Sequence, residues 1–515
     1  MSFSSILFVA DDTSAVAEPV SDLPFFSDLN LDQVADAVFA GRESYNLRPF
    51  FRLPLQSVDA IAYRHEIMSD IERVDVYEEL SAFAESMRVI GDALAASAKL
   101  SYLHERERWI VDASNRYREA IERLSSALEN LPITSRGLLG LCDYLASYRR
   151  SVAFRTLLDD IERLEQGLGA ITYAVLINGD RLNVREPDGE LDLVAAIHRT
   201  FQRFRQGATK SYLLKFSERL GMNHIEAKVL DFVALLHPGV FAELDRFAQQ
   251  HADFIDPLIA QFDREVQFYL AWLDYARTFE SAGLPTCYPR VHTANKSVSA
   301  EDTYDVALAR RLIETGAEVV RNDFALAGAE RVFVVSGPNQ GGKTTFARTF
   351  GQLQYLAALG CHVAGRAATT YLFDAIYTHF ERQEDPAALR GKLEDDVVRV
   401  HDILTRATAH SVIILNEIFV STTVRDAGVL AKRVIERILD LDALCVCVTF
   451  LDELSTLSEK TVSFVSLVDS KNPDIRTYKL ARRRADGLAY AVSLAEKYSL
   501  TYDQLRRRLY GRVPT

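Results

Sequence analysis

The 515 residues are enough for two or three domains, each with its own core, and the balance of 25% charged to 48% hydrophobic residues excludes a disordered or fibrous chain. The formal net charge of -13 argues against constitutive, tight binding to nucleic acid, whose phosphates are held by clustered Lys and Arg, but leaves room for local basic surfaces. No apolar stretch approaches the ~18 residues that cross a bilayer.

Met1 to Ala10 has no basic flank before its short apolar run, so no signal peptide is expected and the chain reads as cytoplasmic. Residues 1–47 read as a lead-in, with turns around Pro19, Pro24 and Asp28. From 48 to 285 the spacing is helical, as in Leu80, Phe83, Met87 and Ile90. One interruption, Ile171 to Val184 around Asn178-Gly179, predicts a β-hairpin. A basic run follows, in which Arg199, Arg203 and Arg205 alternate with Phe201 and Phe204. Two readings stand there: an amphipathic helix with both phenylalanines in a core, and a surface that faces DNA phosphates. The charged triplets Arg482 to Arg484 and Arg506 to Arg508 read as solvated faces.

Ala282 to Pro289 marks a boundary, after which strands alternate with helices over 286–480 in the manner of an α/β nucleotide-binding domain. Residues 481–515 read as a C-terminal helical segment that includes a short helix from Thr501 to Leu509. The five cysteines, Cys142, Cys287, Cys361, Cys445 and Cys447, form no C-x-x-C and read as reduced core thiols.

Within the α/β region the chemistry concentrates at 332–345. The apolar strand Val332 to Val335 breaks into Gly337, Pro338, Asn339, Gln340, Gly341, Gly342, Lys343, Thr344 and Thr345, which fits G-x-x-x-x-G-K-[ST]. In such a loop backbone N–H groups surround a polyphosphate, the lysine reaches the β/γ oxygens and the hydroxyl ligates Mg²⁺. Phe346 to Leu359 can continue as a helix whose N-terminus faces the anion, so ATP with Mg²⁺ is the expected ligand.

The wording Gly-Pro-Asn-Gln-Gly-Gly-Lys-Thr-Thr resembles the Gly-Pro-Asn-Met-Gly-Gly-Lys-Ser-Thr loop of the MutS family of DNA mismatch-repair ATPases, a branch of the ABC-type ATPases. Arg321-Asn322-Asp323, His362 to Gly365, Asp374 to Thr378 and Ala407-Thr408 follow in the order of that family's motifs, and Leu47-Arg48-Pro49 through Ile71 is similar to the start of its core domain. The resemblance implies a mainly α-helical core/lever domain followed by an α/β P-loop ATPase domain. It implies further a homodimer joined through the ATPase domains and an association with DNA through backbone contacts, to duplex or branched forms.

It also exposes departures. In Val412 to Glu417 the family's Asp-Glu is Asn416-Glu417, so Glu417 keeps the role of general base while Asn416 would hold Mg²⁺ weakly, through water. The family's Thr-His is Thr449-Phe450, and its trans-acting Ser-Thr-Phe aligns with Gly391-Lys392-Leu393. Lys392 reads either as a charged donor in trans or as a solvated loop lysine. The Phe-x-Glu triplets at Phe83, Phe216 and Phe241 fall in helical patterns, and no mismatch-probing domain is expected before Arg48. Two functions follow: a slow DNA-associated ATPase without single-mismatch sensing, and a nucleotide-gated binding module with little hydrolysis.

Overall fold

A computed structural model describes residues 3–9, 23–179, 181–189, 221–381, 391–469, 476–484 and 500–510. Its contacts divide the chain into two compact units, Met1–Phe3 with Arg73–Asp263 and Ser4–Glu72 with Arg264–Thr515.

The described part of the first unit is helical apart from one hairpin. Its longest helices, Val74–Ser97 and Leu103–Asn130, bury Val76, Leu80, Phe83, Met87 and Ile90 on one and Tyr117, Ile121, Leu124 and Leu128 on the other. The spacing of three and four residues places each set on one face, and the two helices pack together along it. Helix starts are capped as the sequence allows: Ser151 Oγ accepts from Phe154 N, and Asn223 with Glu226 forms a capping box. The hairpin pairs Ala174–Asn178 antiparallel with Arg181–Arg185 and exposes most of its side chains. Phe83 and Phe241 are 3% and 6% exposed within their helices, so neither is available as a wedge; Phe216 lies outside the described residues.

The second unit is built on a six-stranded sheet. Its strands are β1 (Val332–Ser336), β2 (Ile376–His379), β3 (Val412–Asn416), β4 (Leu444–Val448), β5 (Thr461–Val468) and β6 (Arg476–Arg482), in spatial order β2-β3-β4-β1-β5-β6. All neighbours are parallel except β5 and β6. Every residue of β1, β3 and β4 is buried, which is why these segments read as unbroken apolar runs rather than alternating ones.

Four helices of this unit need labels: α1 (Val306–Thr315), α2 (Lys343–Ala358), α3 (Lys392–Arg406) and α4 (Val424–Leu441). Val332, Val334, Ile413, Leu415, Cys445 and Cys447 share one core cluster with Val400 and Ile403 of α3 and Ala431, Ile435 and Ile438 of α4. Helix α2 packs on β3 and β4, so closely that a Cβ on Gly351 would lie 2.7 Å from Ile414 Cδ1 and from Leu29 Cδ1. A four-stranded sheet of Arg290–His292, Ala367–Tyr371, Val298–Thr303 and Asn322–Leu326 completes the unit. All five cysteines are free thiols.

The sequence reading placed boundaries at 47/48 and 285/286, whereas the contacts change at 72/73 and 263/264. The described residues 4–9 and 23–72 are core of the second unit and not a lead-in. Ser5 Oγ donates to Glu265, Ile6 N donates to Glu265 Oε2 at 2.7 Å, and Tyr63 and Tyr269 donate to the Ser5 and Ile6 carbonyls. The fully buried Arg64 donates to Leu7 O and Leu359 O. Phe25, Phe26 and Phe51 pack edge-on against Tyr355 of α2. Short aromatic helices separated by turns carry no long periodic signal, and their role is set by partners some 300 residues away.

Asp442, in the left-handed conformation at the end of α4, gathers Lys296, Arg331 and Lys460. Partial burial alone would raise its carboxyl, but the hydrogen bonds from Lys460, Lys296 and Arg331 outweigh it and hold the group far below the usual carboxylate range. Because the folded value is the depressed one, this contribution is complete above about pH 4 and is lost as the pH falls through the folded value. Asp442→Asn is expected to remove about 1 kcal/mol at pH 7, the screened worth of a carboxylate 34% exposed, and to flatten the acid limb of stability. Urea unfolding between pH 3 and 7 checks both.

Candidate functional site

The segment between β1 and α2 can turn as it does only because of its glycines. Gly337 and Gly342 have φ of +117° and +91°, and Gln340 is also left-handed at +59°. At Gly341 space is decisive: a Cβ there would sit 2.2 Å from Ser466 Oγ and 2.9 Å from Pro338 O. Ser466, fully buried on β5, donates its hydroxyl to Gly341 O at 2.6 Å and so pins the loop to the sheet. Arg476 of β6 donates to Asn339 O at 3.1 Å on the other side.

The loop closes around its lysine. Lys343 is 4% exposed, and its Nζ donates to Gly337 O at 3.1 Å and Pro338 O at 3.0 Å, with Asn339 Oδ1 at 3.5 Å. The ring of Phe450 lies 4.7 Å from the ammonium. Burial pulls the Lys343 pKa down, the Glu417 charge opposes this, and Arg476 adds to the depression. The first helical hydrogen bond of α2 runs from Phe346 N to Gly342 O, so the amides of Lys343, Thr344 and Thr345 point beyond the helix start, where an anion would be received.

Beside the lysine, Thr344 Oγ1 donates to Asn416 Oδ1 at 2.9 Å, joining the start of α2 to the end of β3. Glu417 and Phe419 follow β3 with φ of +55° and +60°, a backbone strain that aims the Glu417 side chain into the same cavity as the loop. That cavity encloses about 470 Å³. Its lining combines loop residues and Glu417 with the apolar Leu308, Leu312, Val319 and Val320 and the polar Glu318 and Asn322. Such a lining suits a ligand that carries both a polyphosphate and a flat apolar group.

Two fits can be judged from these atoms. The glycine cradle, the outward amides and the buried ammonium fit a polyphosphate. For magnesium the donors at the start of α2 and the end of β3 are two neutral oxygens, Thr344 Oγ1 and Asn416 Oδ1. They fit a hydrated ion that takes its compensating charge from phosphates, not one held by a protein carboxylate.

Gly337 to Thr345, Asn416, Glu417 and Phe450 therefore meet at the C-terminal ends of adjacent parallel strands, where open α/β sheets bind ligands. Ser466, Arg476 and Tyr478 complete the place without any signal in the sequence, since sheet pairing alone brings β5 and β6 to the loop. Lys392 starts α3 and is paired with Glu381. Thr423 caps α4 by accepting from Asp426 N, and Asp374, the first residue of the Asp374 to Thr378 motif, accepts from Ser411 Oγ at 2.8 Å. Arg482 is paired with Glu330, while Arg199, Arg203 and Arg205 lie outside the described residues.

The site is thus a strand, glycine loop and helix unit set in a parallel α/β domain. Residues 333–501 match the family model of MutS domain V, and it is in this domain that the chain is similar to the MutS family. It is 31% identical over 182 residues to a DNA mismatch repair protein MutS of Shouchella clausii, which covers 34% of this chain and 21% of that protein. It is 30% identical over 243 residues to the MutS of Zymomonas mobilis, covering 45% and 28%. An Endonuclease MutS2 of Thermus thermophilus is 27% identical over 199 residues, covering 37% and 26%. The matched stretches span between 21% and 28% of the length of these relatives.

Gly341→Ala is expected to force the loop off Ser466, while Gly391→Ala, where a Cβ meets nothing within 4 Å, leaves it in place. Hydrogen exchange of the amides of 339–345 reads the difference. Faster exchange is expected in the first variant alone.

Proposed function

We propose that the chain is a slow, MutS-like ATPase that acts on DNA structure. The observation that carries this reading is the buried Lys343 ammonium, wrapped by loop carbonyls beside outward helix amides at the mouth of the cavity. In the bound state Lys343 would turn its third ammonium proton toward β/γ oxygens, and the amides of 343–345 would take the remaining phosphate charge. Thr344 and Asn416 would hold magnesium through water, and the ion, when bound, supplies positive charge to the phosphates. Glu417, aimed into the cavity, would orient the attacking water and accept its proton. The apolar Leu308, Leu312, Val319 and Val320 of the cavity lining would hold the base.

Slowness follows from two residues. Asn416 offers no negative charge where an acid would fix the ion, and Phe450 offers no hydrogen bond beside the phosphates. The same two residues favour a second reading, a nucleotide-gated binding module in which occupancy matters and hydrolysis is vestigial. Lys343→Ala is expected to abolish ATP binding in calorimetry. Asn416→Asp is expected to raise turnover or steepen its dependence on Mg²⁺, and Glu417→Ala to remove turnover while sparing binding. Unchanged binding in Lys343→Ala would sink the assignment, and turnover indistinguishable from Glu417→Ala would favour the binding module.

A cytoplasmic homodimer joined through the ATPase domains is part of the proposal, because the chain carries one such loop and ABC-type sites are completed by a facing subunit. No described helix is long and apolar enough to cross a membrane. DNA would be held by phosphate contacts, with Arg199, Arg203 and Arg205 as the proposed contacts, branched forms preferred over linear duplex and no discrimination of a single mismatch. Sedimentation with ATP and Mg²⁺ is expected to show a dimer, and DNA affinity is expected to fall steeply with salt and in the triple alanine variant. A clear preference for a mispaired duplex would overturn the phosphate-only account.

A further inference from the structure

Lys343 has three ammonium protons to place. Gly337 O and Pro338 O receive two, with Asn339 Oδ1 at 3.5 Å, and the remaining side of the ammonium faces the Phe450 ring at 4.7 Å. The position of that ring is fixed by backbone. Thr449 N donates to Val335 O at 3.0 Å, tying the end of β4 to the end of β1, and Leu451 N donates to Thr449 Oγ1 to set the turn beyond.

Phe450 is 50% exposed, so the core does not require an aromatic side chain there. Its partner explains it instead. A cation over an aromatic face is attracted by the ring quadrupole, more strongly when water is partly excluded, as it is around a lysine that is 4% exposed.

We propose that Phe450 is a positioning residue, an aromatic clamp that holds the Lys343 ammonium against the loop carbonyls and thereby weakens the affinity of the site for polyphosphate. The proposal rests on the reading of the loop as an ATP site. To turn its remaining proton toward β/γ oxygens the ammonium must move off the Phe450 ring, and every interaction specific to the ring-bound state opposes that move. Clamp strength therefore sets the concentration of nucleotide at which the site fills, without Phe450 touching the reacting atoms.

The test compares wild type with Phe450→Leu, which keeps apolar bulk without a quadrupole, and Phe450→Trp, which strengthens it. The ATP dissociation constant is expected to be about two- to tenfold lower in the leucine variant and higher in the tryptophan variant. A structural role alone would weaken binding in both. Acylation of Lys343 by an amine-reactive ester, followed by peptide mass spectrometry without nucleotide, reads the lysine directly: leucine should react faster than wild type, and tryptophan more slowly. Equal or weaker ATP binding by the leucine variant overturns the clamp. If Lys343→Ala binds ATP as wild type does, the ATP-site reading falls and takes the affinity claim with it, whereas loss of binding there with no change on Phe450→Leu removes the clamp alone.

Discussion

Helix α2 is buried on almost every side, and the second unit is organised by that constraint. From Phe346 to Ala358 only Arg348 is less than fully buried. A helix so enclosed can satisfy its polar side chains only from within the protein, and most of them find partners there, the Gln354 amide excepted. Gln352 does so by accepting from Val306 N and donating to Leu29 O and Asp305 Oδ1, while Arg348 donates to Asp28 O and Tyr355 to Phe51 O. Together these bonds recruit three separate stretches of chain, at Asp28-Leu29, Phe51 and Asp305-Val306. The same helix presents its N-terminus to the cavity, so the enclosure that makes it the core also holds the anion-receiving end still.

Rigidity at the loop has a second source in the strand order. Because β5 lies beside β1, Ser466 reaches Gly341; because β6 follows β5, Arg476 reaches Asn339. The Asn322 side chain spans to the same edge, donating to Tyr478 O and accepting from Leu480 N, which makes part of the cavity wall a product of sheet pairing. Loop shape, lysine burial and cavity wall are therefore one construction.

What was legible in the sequence was local. The loop, its strand and its helix declare themselves because glycine spacing, a following Lys-Thr and an apolar run are each contiguous, and the long helices of 74–130 declare themselves by period. The hairpin was legible for the same reason, through Asn178-Gly179. Asn416 and Glu417 stood out through the resemblance to the MutS family, which carries Asp-Glu at the end of that apolar strand. Ser466 and Arg476 were not, since nothing near either residue encodes a partner more than 120 positions away. The packing of residues 4–9 and 23–72 into the second unit was invisible on the same ground: four-residue helices such as Phe25–Asp28 and Arg48–Phe51 have no period to read, and their meaning lies in α2.

The burial of Ser5 to Phe8 bears on how such a chain can be made. These residues leave the ribosome well before their partners: Glu265, which receives the Ser5 hydroxyl and the Ile6 amide, is synthesised some 260 residues later, and Leu359, which shares Arg64 with Leu7, later still. All of Arg73–Asp263 lies between. That first unit can close on itself while translation continues, whereas the N-terminal apolar segment must wait uncommitted for its partners. Translation order thus gives the helical unit a head start and leaves the second unit to assemble after it, around a segment that has waited throughout the synthesis of Arg73–Asp263.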